Sequence, residues 1–74
     1  MTPRLPTVSA EKILKILRAH GFEVARQSGS HVVLRHPDGR RVTVPVHHSR
    51  DLGRGLLRRI MKDANLTRHD IAKG

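Results

Sequence analysis

The spacing of apolar residues changes twice along this chain of 74 residues, and those changes constrain its fold more than any other feature. Two segments carry apolar residues at helical spacing: Ala10, Ile13, Leu14 and Leu17 in one, and Leu56, Leu57, Ile60, Met61 and Ala64 in the other. Between them lie stretches in which every second residue is apolar, which is the period of a strand that buries one face. The sequence therefore predicts a helix, then strands, then a helix.

Capping and turn residues set the expected bounds of the first elements. Ser9 is a favourable N-cap and Gly21 suits the position that follows a helix, so the first helix is predicted over 10–20. Three strands are predicted over residues 22–27, 31–36 and 41–46, with turns between them at 28–30 and 37–39.

The second helix is predicted to begin near Arg54, because Gly53 and Gly55 would each weaken a helix interior by roughly 1 kcal/mol. Asn65 is expected to end this helix in the left-handed conformation. The sequence Thr67-Arg68-His69-Asp70 resembles a capping box, which predicts one last short helical turn.

A chain of this length forms one domain. We expect an irregular lead over residues 1–8 and a single domain over 9–74. The expected fold is α+β with the order α-β-β-β-α, in which two helices pack on one face of a three-stranded antiparallel sheet. Double-stranded-RNA-binding domains have this arrangement.

The charge of the chain indicates its class of partner. Fifteen Lys and Arg residues against six Asp and Glu give a formal net charge of +9. A field of this sign favours a polyanion, with nucleic acid ahead of an acidic protein or an acidic membrane surface. With one Phe and no Trp or Tyr, the chain lacks the aromatic platform on which many RNA-binding domains stack bases. Binding is therefore expected through phosphates and shape.

Other classes of protein are disfavoured by what the sequence lacks. There is no cysteine, so neither a disulfide framework nor a thiolate metal site is expected. No apolar run is long enough to cross a bilayer, and the N-terminal residues do not resemble a signal peptide. We therefore expect a cytoplasmic protein without a cofactor or a metal.

The strongest candidate for chemistry is His31, which follows Gly29-Ser30 at the start of a predicted strand. Imidazole is the side chain that exchanges protons between about pH 5 and 8, and RNA cleavage through the 2′-hydroxyl needs a base, an acid and nearby cations. The candidates for RNA binding around it are Gly29, Ser30, Arg26, Arg35, Arg40 and Arg41. From these residues alone, a phosphate-binding or structural histidine remains an alternative.

The other histidines have simpler interpretations. His20 is expected to be structural, because a helix C-terminus favours a cation. His36 is expected to be an exposed turn residue, and His69 an exposed residue without a role. His47 and His48 are adjacent on an extended chain, so they point to opposite sides and cannot readily share a metal. They are expected to contact phosphate or a partner, or to be merely solvated.

Several motifs together resemble a known family, the HicA mRNA interferase toxins. The resemblance covers roughly residues 9–70 and is most specific at two places, Gly29-Ser30-His31 and the Gly-x-Leu-Arg-x-Ile pattern that begins at Gly55. It implies a toxin with the double-stranded-RNA-binding fold that cleaves mRNA without a metal and stops translation. It also implies that His31 is catalytic, that Gly29 belongs to the motif, and that a HicB antitoxin covers the catalytic face.

We therefore predict a metal-independent endoribonuclease that is the toxin of a toxin–antitoxin pair. His31 would act as general acid and base, with Ser30 and Gly29 shaping the phosphate site and with Arg35 and Arg26 stabilising the developing charge. Two alternatives stay open: a module of the same fold that binds RNA without cutting it, and an interaction protein whose basic face serves only an acidic partner.

Overall fold

The predicted order of elements is confirmed. A computed structural model of the chain describes residues 7–47 and 51–73. Its elements are α1 (Ala10–Ala19), β1 (Glu23–Ser28), β2 (His31–Arg35), β3 (Arg41–Pro45), α2 (Arg54–Ala64) and α3 (Arg68–Lys73). The predicted last helical turn is thus a short third helix. Residues 1–6 of the predicted lead, and His48 in the basic loop, lie outside the described residues.

The three strands form one antiparallel sheet in the order β1-β2-β3. The register of β2 with β3 is regular, with His31 opposite Pro45 and Arg35 opposite Arg41. The register of β1 with β2 shifts between Val24 and Arg26. This β-bulge adds one residue to β1 and changes the faces to which the following side chains point.

The core lies between the helices and one face of β2 and β3. Its buried strand residues are Val32, Leu34, Val42 and Val44, and its buried helix residues are Ala10, Ile13, Ile16, Leu17, Leu57, Ile60, Met61, Ala64 and Ile71. All six residues of β1 are exposed. The helices therefore cover the core-facing side of β2 and β3, as expected for helices packed on one face, and leave β1 uncovered.

Local capping interactions determine where α1 begins and ends. The Ser9 side chain accepts a hydrogen bond from the Lys12 N–H at 3.1 Å, as expected for an N-cap. After the helix, Gly21 has a φ of 93°, and the Phe22 N–H donates to the Leu17 carbonyl at 3.0 Å. This is a Schellman motif, and it directs the Phe22 ring into the core.

The second helix and α3 are joined by two further capping motifs. Asn65 ends α2 with a left-handed φ of 56°, as predicted. The Thr67 N–H then donates to Asp70 Oδ2 at 2.8 Å, and the Asp70 N–H donates to Thr67 Oγ1 at 3.2 Å. The predicted capping box is therefore present, and it places the fully buried Ile71 in the core.

Two short contacts tie the chain ahead of α1 to the segment ahead of α2. Val8 is 2% exposed, and its carbonyl accepts the Leu52 N–H at 2.8 Å. Ser9 and Asp51 form an isolated antiparallel bridge. The packed unit thus reaches back to Val8, and no helix in the described part of the chain is long and apolar enough to span a membrane.

The uneven cover of the sheet predicts a contrast between two residues that lie opposite each other. Leu34 is fully buried, whereas its register partner Val24 is 40% exposed. We expect Leu34→Ala to lower the free energy of unfolding by about 2–5 kcal/mol. Val24→Ala should cost less than about 1 kcal/mol. Urea denaturation of the two variants measures the difference, and equal losses would show that β1 is packed as tightly as β2.

Candidate functional site

A two-residue turn connects β1 to β2 and positions the candidate catalytic histidine. Gly29 and Ser30 form this turn, and Ser28 lies opposite His31 in the register. Gly29 has a φ of 58°, whereas Ser30 has a negative φ, which is the pattern of a type II′ hairpin turn. A Cβ atom on Gly29 would meet nothing within 4 Å. The glycine is therefore required by the backbone of the turn and not by a close contact.

The alternation of β2 turns His31 away from the core. Val32 and Leu34 are buried on one face, while His31 and Arg35 are exposed on the other. The His31 imidazole makes no hydrogen bond or ion pair with any residue in 7–47 or 51–73. An exposed ring without a protein partner leaves both nitrogens available to a ligand.

The exposed side of the sheet, here called the open face, carries three cross-strand rows of side chains. From one end to the other the rows are Ser28, His31 and Pro45; Arg26, Val33 and Thr43; and Glu23, Arg35 and Arg41. Regular alternation from Glu23 would place Arg26 on the opposite face. The bulge in β1 brings Arg26 instead to the open face, diagonal to His31.

Arg35 and Arg41 lie at the far end of the open face from His31. Arg35 lies four positions after His31 in the strand, which corresponds to about 13 Å. Arg35 also lines a second hollow of about 270 Å³, beside Glu23 and Pro37. Arg35 and Arg41 lie directly opposite each other across β2 and β3, and like charges in this position repel each other.

The His31 side chain opens into a groove of about 410 Å³ between β3 and α2. The groove is lined by His31, Arg41, Thr43, Pro45, Leu56, Arg59, Ile60 and Asp63. Its floor is apolar and its rim carries two guanidinium groups, one carboxylate and one imidazole. A groove of this volume lies in the range of small-ligand sites.

Sequence reasoning missed the three other polar residues of the groove, Thr43, Arg59 and Asp63. Helical spacing does place Arg59 and Asp63 on one stripe with Leu56. The sequence carries no signal that this stripe lies along the edge of β3, because that depends on how α2 packs on the sheet.

The structure places Arg40 away from the other candidate residues. Its Nε donates to Asp38 Oδ2 at 2.8 Å, and a terminal nitrogen of its guanidinium donates to the Ala64 carbonyl at the end of α2. The guanidinium carbon also lies 5.0 Å from the centre of the Phe22 ring. These contacts hold Arg40 in the fold, whereas Arg41, the next residue, lines the groove.

The expectation that His36 is an exposed turn residue is wrong. Its side chain is 21% exposed, and its ring meets Phe22 edge-on with 5.1 Å between the ring centres. The Asp38 N–H donates to its Nδ1 at 3.1 Å. A Cβ atom on Gly21 would come within 2.8 Å of its Nε2. His36 is therefore a packing residue that fills the space beside Gly21.

The other histidines among the described residues give no second site. His20 Nε2 lies 3.7 Å from Asp70 Oδ1, which fits the structural role predicted for it. His47 and His69 are exposed. Within residues 7–47 and 51–73, no three side chains of His, Cys, Asp or Glu are grouped to hold a metal ion.

Comparison with known protein families finds a match. Residues 10–66, well over half of the chain, match the family model described as HicA toxin of bacterial toxin-antitoxin. The matched segment contains β2 with His31 and most of the groove wall that α2 supplies. A comparison with curated proteins finds no match.

The different surroundings of two adjacent arginines predict different effects on stability. Arg40→Gln removes contacts to Asp38, Ala64 and Phe22, so we expect the free energy of unfolding to fall by about 1–3 kcal/mol. Arg41→Gln is the matched control and should change it by no more than about 0.5 kcal/mol. Urea denaturation measures both, and an unchanged midpoint for Arg40→Gln would contradict the structural role.

The turn that holds Arg40 also predicts a pH dependence of stability. The Arg40 backbone N–H, which donates to Asp38 Oδ1 at 3.0 Å, is the main cause that lowers the pKa of Asp38 below its ordinary value of 3.8. A lowered pKa contributes stability above the unfolded pKa, and this stability is lost as pH falls through the folded value. We expect Asp38→Asn to be less stable than the parent near neutral pH. Its stability should fall less steeply below about pH 4, as followed by thermal melts across pH.

Proposed function

Because the chain belongs to the HicA toxin family of bacterial toxin–antitoxin systems, we propose that it is a metal-independent endoribonuclease that cleaves mRNA in the cytoplasm and thereby inhibits translation. The observation that carries this proposal is the placement of His31. Its imidazole is exposed, has no protein partner among the described residues, and opens into a groove whose rim holds two guanidinium groups.

The proposed reaction uses the 2′-hydroxyl of the RNA as the nucleophile. His31 accepts the proton of this hydroxyl while the bond from the 2′-oxygen to phosphorus forms. The bond from phosphorus to the 5′-oxygen then breaks, and His31 returns the proton to that leaving oxygen. The products are a 2′,3′-cyclic phosphate and a free 5′-hydroxyl, so one imidazole serves as base and then as acid.

The side chains and backbone around His31 support this assignment. Charge develops on the phosphate oxygens during the reaction, and fixed cations stabilise it. Arg26 lies diagonal to His31 on the open face, and Ser30 follows the left-handed Gly29 in the adjoining turn. We assign the binding of phosphate at this end of the site to Arg26 and the hydroxyl of Ser30, with Gly29 setting the turn.

A second part of the proposal concerns the antitoxin. The family is one of toxin–antitoxin systems, so the chain acts with a neutralising partner. The open face carries three exposed arginines. We propose that a HicB-like antitoxin covers this face with acidic residues and thereby excludes RNA.

The central prediction concerns His31→Ala. Because the exposed ring makes no hydrogen bond or ion pair with a described residue, the variant should fold as the parent does. Its rate of cleavage of single-stranded RNA, measured in EDTA on a gel, should fall by about 10²–10⁴. His69→Ala, which changes an exposed histidine on α3, is the matched control and should cleave at the parental rate.

Growth on induction provides a second measurement. The parent should arrest growth, His31→Ala should not, and co-expression of the adjacent gene should relieve the arrest. Cleavage by His31→Ala at the parental rate would exclude the assigned role. Binding of RNA by the parent without any cleavage would favour the non-catalytic RNA-binding alternative.

A further inference from the structure

The course of α2 relative to β3 determines which groove residues lie near His31. The Arg40 guanidinium contacts the carbonyl of Ala64, the last residue of α2. Arg40 immediately precedes β3, so the end of α2 lies beside the start of β3 and the two elements run antiparallel. Leu56, near the start of α2, consequently lies at the end of the groove that holds His31.

The same geometry orders the charges along the α2 wall. Leu56, Arg59 and Asp63 follow each other at intervals of about one helical turn, so all three line the groove. Arg59 is therefore one turn from the His31 end. Asp63 is two turns away, at the end where Arg41 begins β3.

We propose that Arg59 binds the phosphate on which His31 acts, an assignment that rests on the proposed function. The RNA strand then runs along the groove between β3 and α2. Arg59 is exposed and makes no ion pair with the described residues. A guanidinium group in this state is suited to grip a phosphate through two parallel N–H bonds. Arg35, the arginine closest to His31 along β2, lines the other hollow.

Asp63 makes the two ends of the groove differ in charge. The carboxylate of Asp63 offsets the positive charge of Arg41 at its end of the groove, so a phosphate is favoured more strongly at the end near Arg59. Apolar contact along the floor comes from Pro45, Leu56 and Ile60. A groove of about 410 Å³ with one cationic end and an apolar floor fits a single nucleotide at a time.

Adjacent arginines on α2 provide a matched test. Arg58 points about 100° away from Arg59 around the helix, is also exposed, and does not line the groove. Replacing either residue by Gln removes one positive charge from the same helix. A general effect of charge on RNA binding is therefore the same for both variants, whereas a specific contact is lost only in Arg59→Gln.

The probe is a short single-stranded RNA whose 2′-hydroxyls are methylated, because it binds without being cleaved. Its dissociation constant for the full chain, measured by fluorescence anisotropy at fixed salt, should rise about 10- to 100-fold for Arg59→Gln. For Arg58→Gln it should rise by no more than about threefold. Thermal melts confirm that both variants fold. Equal losses, or no loss in either variant, would overturn the assignment to Arg59 whether or not the parent cleaves RNA.

Cleavage of unmodified RNA separates this inference from the proposed function. A specific loss of binding in Arg59→Gln, together with a slower cleavage rate, supports both. If binding is lost specifically in Arg59→Gln but the substrate stays intact in every reaction, the result supports RNA binding along the groove. The same result contradicts the proposed ribonuclease activity.

Discussion

The burial of Val32 and Leu34 beneath the helices is the interaction on which the site depends. Successive strand residues point to opposite faces, so packing these two side chains against the core turns His31 and Arg35 to solvent. A slip of one residue in β2 would bury an imidazole and a guanidinium without partners, which costs far more than the apolar contacts regain. The same packing therefore stabilises this small domain and exposes its candidate catalytic residue.

A second contact, between Arg40 and Ala64, helps to form the groove. These two residues lie 24 positions apart in the chain. Arg40 links the turn before β3 to the carbonyl end of α2 while its guanidinium covers the Phe22 ring. This contact holds α2 antiparallel to β3, so that Arg59 and His31 face one groove although 28 positions separate them in the sequence. Arg40 does not face the groove, but its contact with α2 helps to position Arg59, which does.

Local signals predicted much of this structure. The helix caps act within one or two helical turns, so short sequence motifs predict them. The caps at Ser9, Asn65 and Thr67 are all present in the fold. The roles of Arg40 and Arg59 were not predictable in this way. Arg40 and Arg41 are identical neighbours, and only the end of the β2–β3 turn decides that one packs on the core while the other points into the groove. The position of Arg59 in the groove depends on the packing angle of α2 on the sheet, and no short sequence motif indicates that angle.

The open face concentrates positive charge, and repulsion between these charges lowers the stability of the free protein. Arg35 and Arg41 oppose each other directly across β2 and β3, and a bulge in β1 adds Arg26 to the same surface. These charges repel one another in the free protein, and an anion of either kind relieves that repulsion. Under the proposed function, RNA and antitoxin compete for the same unpaired guanidinium groups. Neutralisation then needs no rearrangement of the toxin, because an antitoxin bound to these arginines occupies the open face on which His31 lies.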